Sequence, residues 1–224
     1  MRDHPFDASV VSLPTKIPLF PLRQAVLLPR GRLPLNIFEP RYLAMTEYAL
    51  GHGRVIGMIR PRTEEGVSPP LYETGCAGRI SSFTQTDDGR YLITLTGLSR
   101  FCLKGETLDA NGFRLGTVDW SPFPDDTTEY AEESPVLRER LLELLVVYLK
   151  EVGLTADWDS MEGASSETLV NSIAMSCPFD AEEQQALLEA PTLEQRAHIL
   201  ITMMEMSVAG TQGPHQDVPS AKLQ

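Results

Sequence analysis

Between Ile17 and Trp120, proline and glycine recur at intervals too short for most helices, and this fixes the class of the N-terminal half. Apolar runs at 17–20, 26–28, 33–38 and 55–59 lie between the breaks and predict β-strands. One helix interrupts them. Pro40 suits a first helical position, where its missing N–H goes unused, and Tyr42, Leu43, Met45, Thr46 and Ala49 keep helical spacing until Gly51 and Gly53. The plainest local signal follows at 79–98. There Asp87-Asp88-Gly89 supplies the positive φ of a tight hairpin turn between strands at 79–86 and 90–96. Two more strands are predicted at 101–106 and 113–120, joined by the turn-forming Asp109-Ala110-Asn111-Gly112.

The texture changes after Trp120. A Pro- and Asp-rich linker over 121–132 leads into segments with helical periodicity over 133–208. The first, 136–152, carries Leu137, Leu141, Leu144, Leu145 and Tyr148 on one face, widened by Leu142, Val146 and Leu149. A second begins near Ser165 or Ser166 and stops at Pro178. A third begins at Asp180 with Glu183 in capping-box position, and a fourth at Thr192 with Gln195 in that position. Residues 1–15 read as a flexible arm and 209–224 as a flexible tail. The expected fold class is α+β: a β-barrel or curled sheet with one helix over 16–120, then a bundle of about four helices.

Charge divides the chain at the same place. Residues 1–120 hold 14 basic and 12 acidic residues, a balance of +2, whereas 121–224 hold 5 and 19, a balance of −14. An acidic half of that kind repels phosphates and anionic membranes. Twelve of the 14 basic residues in the first half are arginine, but interspersed acids leave a weak footprint for nucleic acid. No apolar run spans a bilayer and residues 1–16 lack a signal-peptide core, so a cytoplasmic protein is expected.

Motifs for chemistry are scarce. No Gly-Lys dipeptide occurs in the 224 residues, which excludes a Walker phosphate loop within them. H-E-x-x-H and G-x-S-x-G are absent too. His4, His52, His198 and His215 are too scattered for metal ligation, and Lys16, Lys104, Lys150 and Lys222 offer little for a serine–lysine dyad. Gly75-Cys76-Ala77-Gly78 sets a thiol beside Arg79 with no histidine near, and reads as a strand cysteine whose glycines admit close packing. Asp157-Trp158-Asp159 lacks the further oxygen ligands that calcium demands. Cys76, Cys102 and Cys177 are too distant for a zinc site and odd in number for a disulfide framework. No catalytic residue, metal or cofactor is expected.

Several segments, in order, resemble the Lon N-terminal domain family: Ile17-Pro18-Leu19-Phe20-Pro21-Leu22, Val26-Leu27-Leu28-Pro29-Arg30-Gly31, Phe38-Glu39-Pro40-Arg41-Tyr42 and Arg54-Val55-Ile56-Gly57-Met58-Ile59. Gly75-Cys76-Ala77-Gly78-Arg79-Ile80, Asp88-Gly89-Arg90-Tyr91 and Leu95-Thr96-Gly97-Leu98-Ser99-Arg100-Phe101 complete the pattern. The resemblance implies a PUA-like β-barrel followed by a helical bundle, and a protein- or peptide-binding module from which the family's ATPase and Ser-Lys peptidase are missing. It implies partners among unfolded or exposed polypeptide segments, with a protease or chaperone beside them, in protein quality control. An RNA-binding PUA-like module and a hydrolase with an unrecognised site are the alternatives.

At the strand-to-helix junction two readings stand for Phe38, Glu39, Arg41 and Tyr42. Either the motif fixes the angle between strand and helix, or its apolar residues line a peptide-binding groove. Glu39 is expected to interact favourably with the positive end of the helix that Pro40 begins.

Overall fold

A computed structural model describes residues 13–63, 68–128, 135–156, 158, 161 and 163–211. Its elements are β1 (Lys16–Pro21), β2 (Arg32–Ile37), α1 (Pro40–Gly51), β3 (Val55–Ile59), β4 (Thr74–Gln85), β5 (Tyr91–Leu108) and β6 (Arg114–Asp119), followed by α2 (Pro135–Glu151), α3 (Ser166–Ser176), α4 (Ala181–Glu189) and α5 (Leu193–Thr211). The α+β class expected from the sequence is the one observed.

The strand β5 organises the sheet. It runs antiparallel along β4, while its first half also pairs with β2 and its second half with β6. β6 pairs with β1, β1 runs parallel to β3, and β3 returns to β4. Five strands therefore close a ring, with β2 attached to its outside. Register shifts at Ala77/Gly78, Ile80/Ser82 and Leu103/Gly105 bend the long strands, so the ring is not a regular barrel. The separate strands expected at 90–96 and 101–106 are one strand of 18 residues. Gly97, which lies between those two predicted strands, lets residues 28–31 press against it. A Cβ at Gly97 would stand 2.0 Å from the Leu28 carbonyl oxygen, and the Arg30 N–H donates to the Gly97 carbonyl at 2.9 Å. That loop takes the place of the strand predicted at 26–28; Val26, Leu27 and Leu28 are buried in it without strand pairing.

The ring is filled by Ile17, Leu19, Val55, Ile59, Ala77, Phe101 and Val118. Alternation places Phe20, Ile56, Met58 and Cys76 on its outer face, where they join Leu141, Leu145, Tyr148, Leu169, Ile173, Leu187 and Leu200 of the helices in a second, larger core. Local signals fix the helix starts. The Asp180 carboxylate accepts from the N–H groups of Glu182 and Glu183 at 2.8 Å, and Glu183 accepts from the Asp180 N–H, closing the predicted capping box. Ser165 caps α3 by accepting from the Thr168 N–H.

Arginines of the β-half stitch the two parts together. Arg100 is 1% exposed, and every N–H of its guanidinium has an acceptor. Nε and Nη2 donate to Asp126 at 2.8–3.2 Å, while Nη1 donates to the carbonyls of Leu188 (3.2 Å) and Ala190 (2.5 Å) and Nη2 also to that of Pro191 (3.4 Å). Phe123 lies under the guanidinium at 4.4 Å. Arg60 donates to the Ala181 carbonyl and to Gln184, and Arg30 to the carbonyls of Asp126 and Thr128, with its Nε 2.9 Å from Glu167.

These contacts change the reading of 121–132. The part expected to be a linker contains a 3-10 turn, Pro124–Thr127, and Asp126 within it is buried. Residues 129–134, the arm over 1–12 and the tail over 212–224 lie outside the described residues, while α5 itself continues to Thr211. Removing the carboxylate leaves the Arg100 charge buried and uncompensated. The Asp126→Ala substitution is therefore expected to lower the unfolding free energy by about 3–5 kcal/mol. Urea denaturation followed by circular dichroism measures this; a loss under about 1 kcal/mol would show that the pair does not hold the halves together.

Candidate functional site

The end of β2, the start of α1 and the β5–β6 hairpin converge on one groove. Leu35, Asn36 and Ile37, beside the Tyr91 end of β5, face Leu108, Phe113 and Arg114 at its other end. Phe20–Gln24, the start of α1, and Pro61, Ser68 and Pro69 complete the walls of a groove of about 730 Å³. All four junction residues singled out in the sequence, Phe38, Glu39, Arg41 and Tyr42, line it.

Their roles differ. Phe38 is 63% exposed, with its ring unsupported by the core, and Leu108 across the groove is 71% exposed. Tyr42 packs inward on Phe20, with ring centroids 4.4 Å apart. Burial raises its hydroxyl pKa against the opposing pull of the Arg41 charge, so the phenol stays protonated at neutral pH. Glu39 occupies the N-cap position of α1, yet its carboxylate makes no capping hydrogen bond. It accepts instead from Nε and Nη2 of Arg41 at 3.0 and 2.8 Å, and the Arg41 guanidinium sits 4.6 Å over the Tyr42 ring. The junction thus combines an anchored ring, an exposed ring and a solvent-facing ion pair.

Sequence reasoning did not find Leu108 or Arg114. Leu108 carries one usable signal, an apolar side chain directly before the Asp109–Gly112 turn. Arg114 carries a weak one, since Glu106 faces it across the β5–β6 hairpin while Ser68 and Pro69 reach it from far back in the sequence. Nη1 donates to Glu106 at 3.0 and 3.1 Å, and Nη2 to Ser68 Oγ at 2.7 Å and the Pro69 carbonyl at 2.9 Å.

A family model described as the ATP-dependent protease La (LON) substrate-binding domain matches residues 16–206. The chain belongs to the Lon substrate-binding domain family. A Lon protease of Anaeromyxobacter dehalogenans is 25% identical over 206 residues, covering 86% of this chain and 23% of that protein. Lon protease 2 of Myxococcus xanthus is 24% identical over 206 residues, which is 24% of its length. The chain therefore spans about a quarter of the curated relatives it matches. Among solved structures, a Lon N-terminal domain protein from Xanthomonas campestris superimposes with a TM-score of 0.61 at 25% identity, covering 84% of this chain and 98% of that one. The N-terminal domain of a Mycobacterium avium complex Lon protease gives 0.61 at 14% identity and shares the fold. In this Lon substrate-binding domain the matched region takes in both the ring and the helices.

The other sequence candidates lie elsewhere. Cys76 is buried on β4, and burial pushes its thiol well above the usual range; burial also raises Cys177, to about 11. The Tyr48 ring stacks on His52, and the Nδ1 of His198 is 2.9 Å from the Glu194 carbonyl. Asp157 and Asp159 lie outside the described residues. Among the described residues no group of three His, Cys, Asp or Glu could hold a metal, and no helix is long and apolar enough to cross a membrane.

The thiol environments give a direct expectation. Native protein treated with a disulfide reagent at pH 8 is expected to react at the half-buried Cys102, with Cys76 and Cys177 reacting only on unfolding. Rapid labelling of Cys76 in the native state, read by peptide mapping, would contradict its assignment as a packed strand residue.

Proposed function

We propose that this domain is a non-catalytic recognition module that holds exposed apolar segments of unfolded polypeptides in the groove beside α1. It would act in the cytoplasm as an adaptor for a protease or chaperone that carries the energy-dependent chemistry. The family supports the substrate-binding part, and the exposed ring of Phe38 is the observation that carries the location. A phenylalanine left 63% exposed beside a Leu108 left 71% exposed gains only when something covers both. A groove of about 730 Å³ lies within the range of sites that enclose a ligand.

A passive binder also suits the chemistry present. Cys76 is held protonated by burial, and the Glu39–Arg41 pair satisfies itself. The groove therefore offers contact area and a few oriented polar groups but no activated nucleophile. The proposed partners match its scale: a few residues of extended chain fill it, whereas a folded surface would not enter.

Phe38 allows a clean test because it contributes little to the core. Phe38→Ala is expected to weaken binding of a fluorescent, reduced and carboxymethylated protein by ~10-fold, the effect of losing roughly 1.5 kcal/mol of ring burial. Fluorescence polarisation without nucleotide measures this, with thermal unfolding unchanged as the control. Equal affinity of the variant and the parent would remove the groove as the binding site.

A further inference from the structure

The wall of the groove formed by β2 is also an open sheet edge. β2 pairs with β5 alone, through Arg32↔Thr96 to Ile37↔Tyr91. The Gly97 N–H donates to the Gly31 carbonyl, so odd-numbered residues direct their main-chain groups at β5. Arg32, Pro34 and Asn36 must then direct theirs the other way. Pro34 agrees, since a residue without an N–H is tolerated on a strand only where no ladder bond is needed. The outer edge thus presents the N–H and C=O of Arg32, the C=O of Pro34, and the N–H and C=O of Asn36. Among the described residues none of these groups is engaged by another part of the backbone. Arg32, Pro34 and Asn36 are exposed, and Asn36 itself lines the groove.

We infer that the outer edge of β2 takes up an extended polypeptide segment as an added strand, with apolar residues at alternate positions and acidic rather than basic residues between them. This rests on the groove being the binding site and goes on to name the mode and the chemistry of the ligand. The edge is six residues, about 20 Å, long enough for a short strand. Main-chain hydrogen bonds are the same for every sequence, which gives a binder of unfolded chains affinity without strict sequence choice. Every second side chain of the added strand would lie on the face of Leu35 and Ile37, toward Phe38. Charge complementarity selects the rest. Arg41 and Arg114 are paired with Glu39 and Glu106, and Arg23 donates to the Thr63 carbonyl, so the charge the edge itself offers a ligand is that of the exposed Arg32, in a chain whose net charge is −12.

The test uses synthetic heptapeptides of alternating leucine with serine and aspartate, a lysine-for-aspartate counterpart, and versions N-methylated at one alternate set of amides or the other. Methylating one set, whose N–H groups face β2, is expected to weaken binding at least ~10-fold, and methylating the other set less than ~2-fold. Asn36→Pro, which deletes an edge N–H, is expected to match the damaging set. The aspartate peptide is expected to bind at least ~3-fold more tightly than the lysine peptide at low salt, with the gap closing in high salt. Should Asn36→Pro fail to fold, the methylated peptides carry the test alone. If both methylated sets bind alike while Phe38→Ala still weakens binding, strand addition is wrong and the groove stands. If no peptide binds, both fall. A preference for lysine overturns the charge assignment.

Discussion

A single guanidinium holds the architecture. Arg100 projects from the outer face of the ring and places all five of its N–H donors on one carboxylate and three carbonyls of the following chain. Two of those carbonyls, Leu188 and Ala190, belong to the end of α4, where helix geometry leaves acceptors unpaired. The arrangement draws little net stability from burying charge, because desolvation offsets most of the attraction. Removing either partner leaves a buried charge or buried carbonyls without their partner, so the pair ties this placement of the helices to the ring. Arg30 and Arg60 repeat the device at other points of the interface. The arginines of the first half supply donors, and the acceptors are mostly main-chain carbonyls of the second half, joined by the carboxylates of Asp126 and Glu167.

From that frame the groove follows. The ring closes because β5 is long and bent enough to pair with β6 beyond the part that carries β2. Closure brings Leu108 and Arg114 opposite Phe38, and the packed loop at 28–31 fixes where β2 sits against the strand. A rigid wall with an open edge and an exposed ring is suited to holding an extended chain without remodelling itself.

Much of this was legible locally. The Asp87-Asp88-Gly89 turn, Pro40 at the start of α1 and the Asp180–Glu183 box each act within a few residues, where spacing reports geometry. Phe38, Glu39, Arg41 and Tyr42 stood out by another route, as the strand-to-helix junction in the resemblance to the Lon N-terminal domain family. What could not be read depends on distant partners. Asp126 looked like a linker acid because Arg100 is 26 positions away. Residues 97–100 fall between two predicted strands because the loop that presses on Gly97 lies far back in the sequence. The Glu39 carboxylate looked like a helix-end partner, yet Arg41 two residues on puts two charged N–H donors on its Oε2.

On this account the binding surface is the seam between the β2–α1 junction and the β5–β6 hairpin. Amide hydrogen exchange of the domain, with and without saturating unfolded polypeptide, tests it most directly. Protection is predicted at residues 35–42 and 108–114, with α5 unchanged. Protection confined to the helices, or none at the seam while the complex is demonstrably formed, would contradict it.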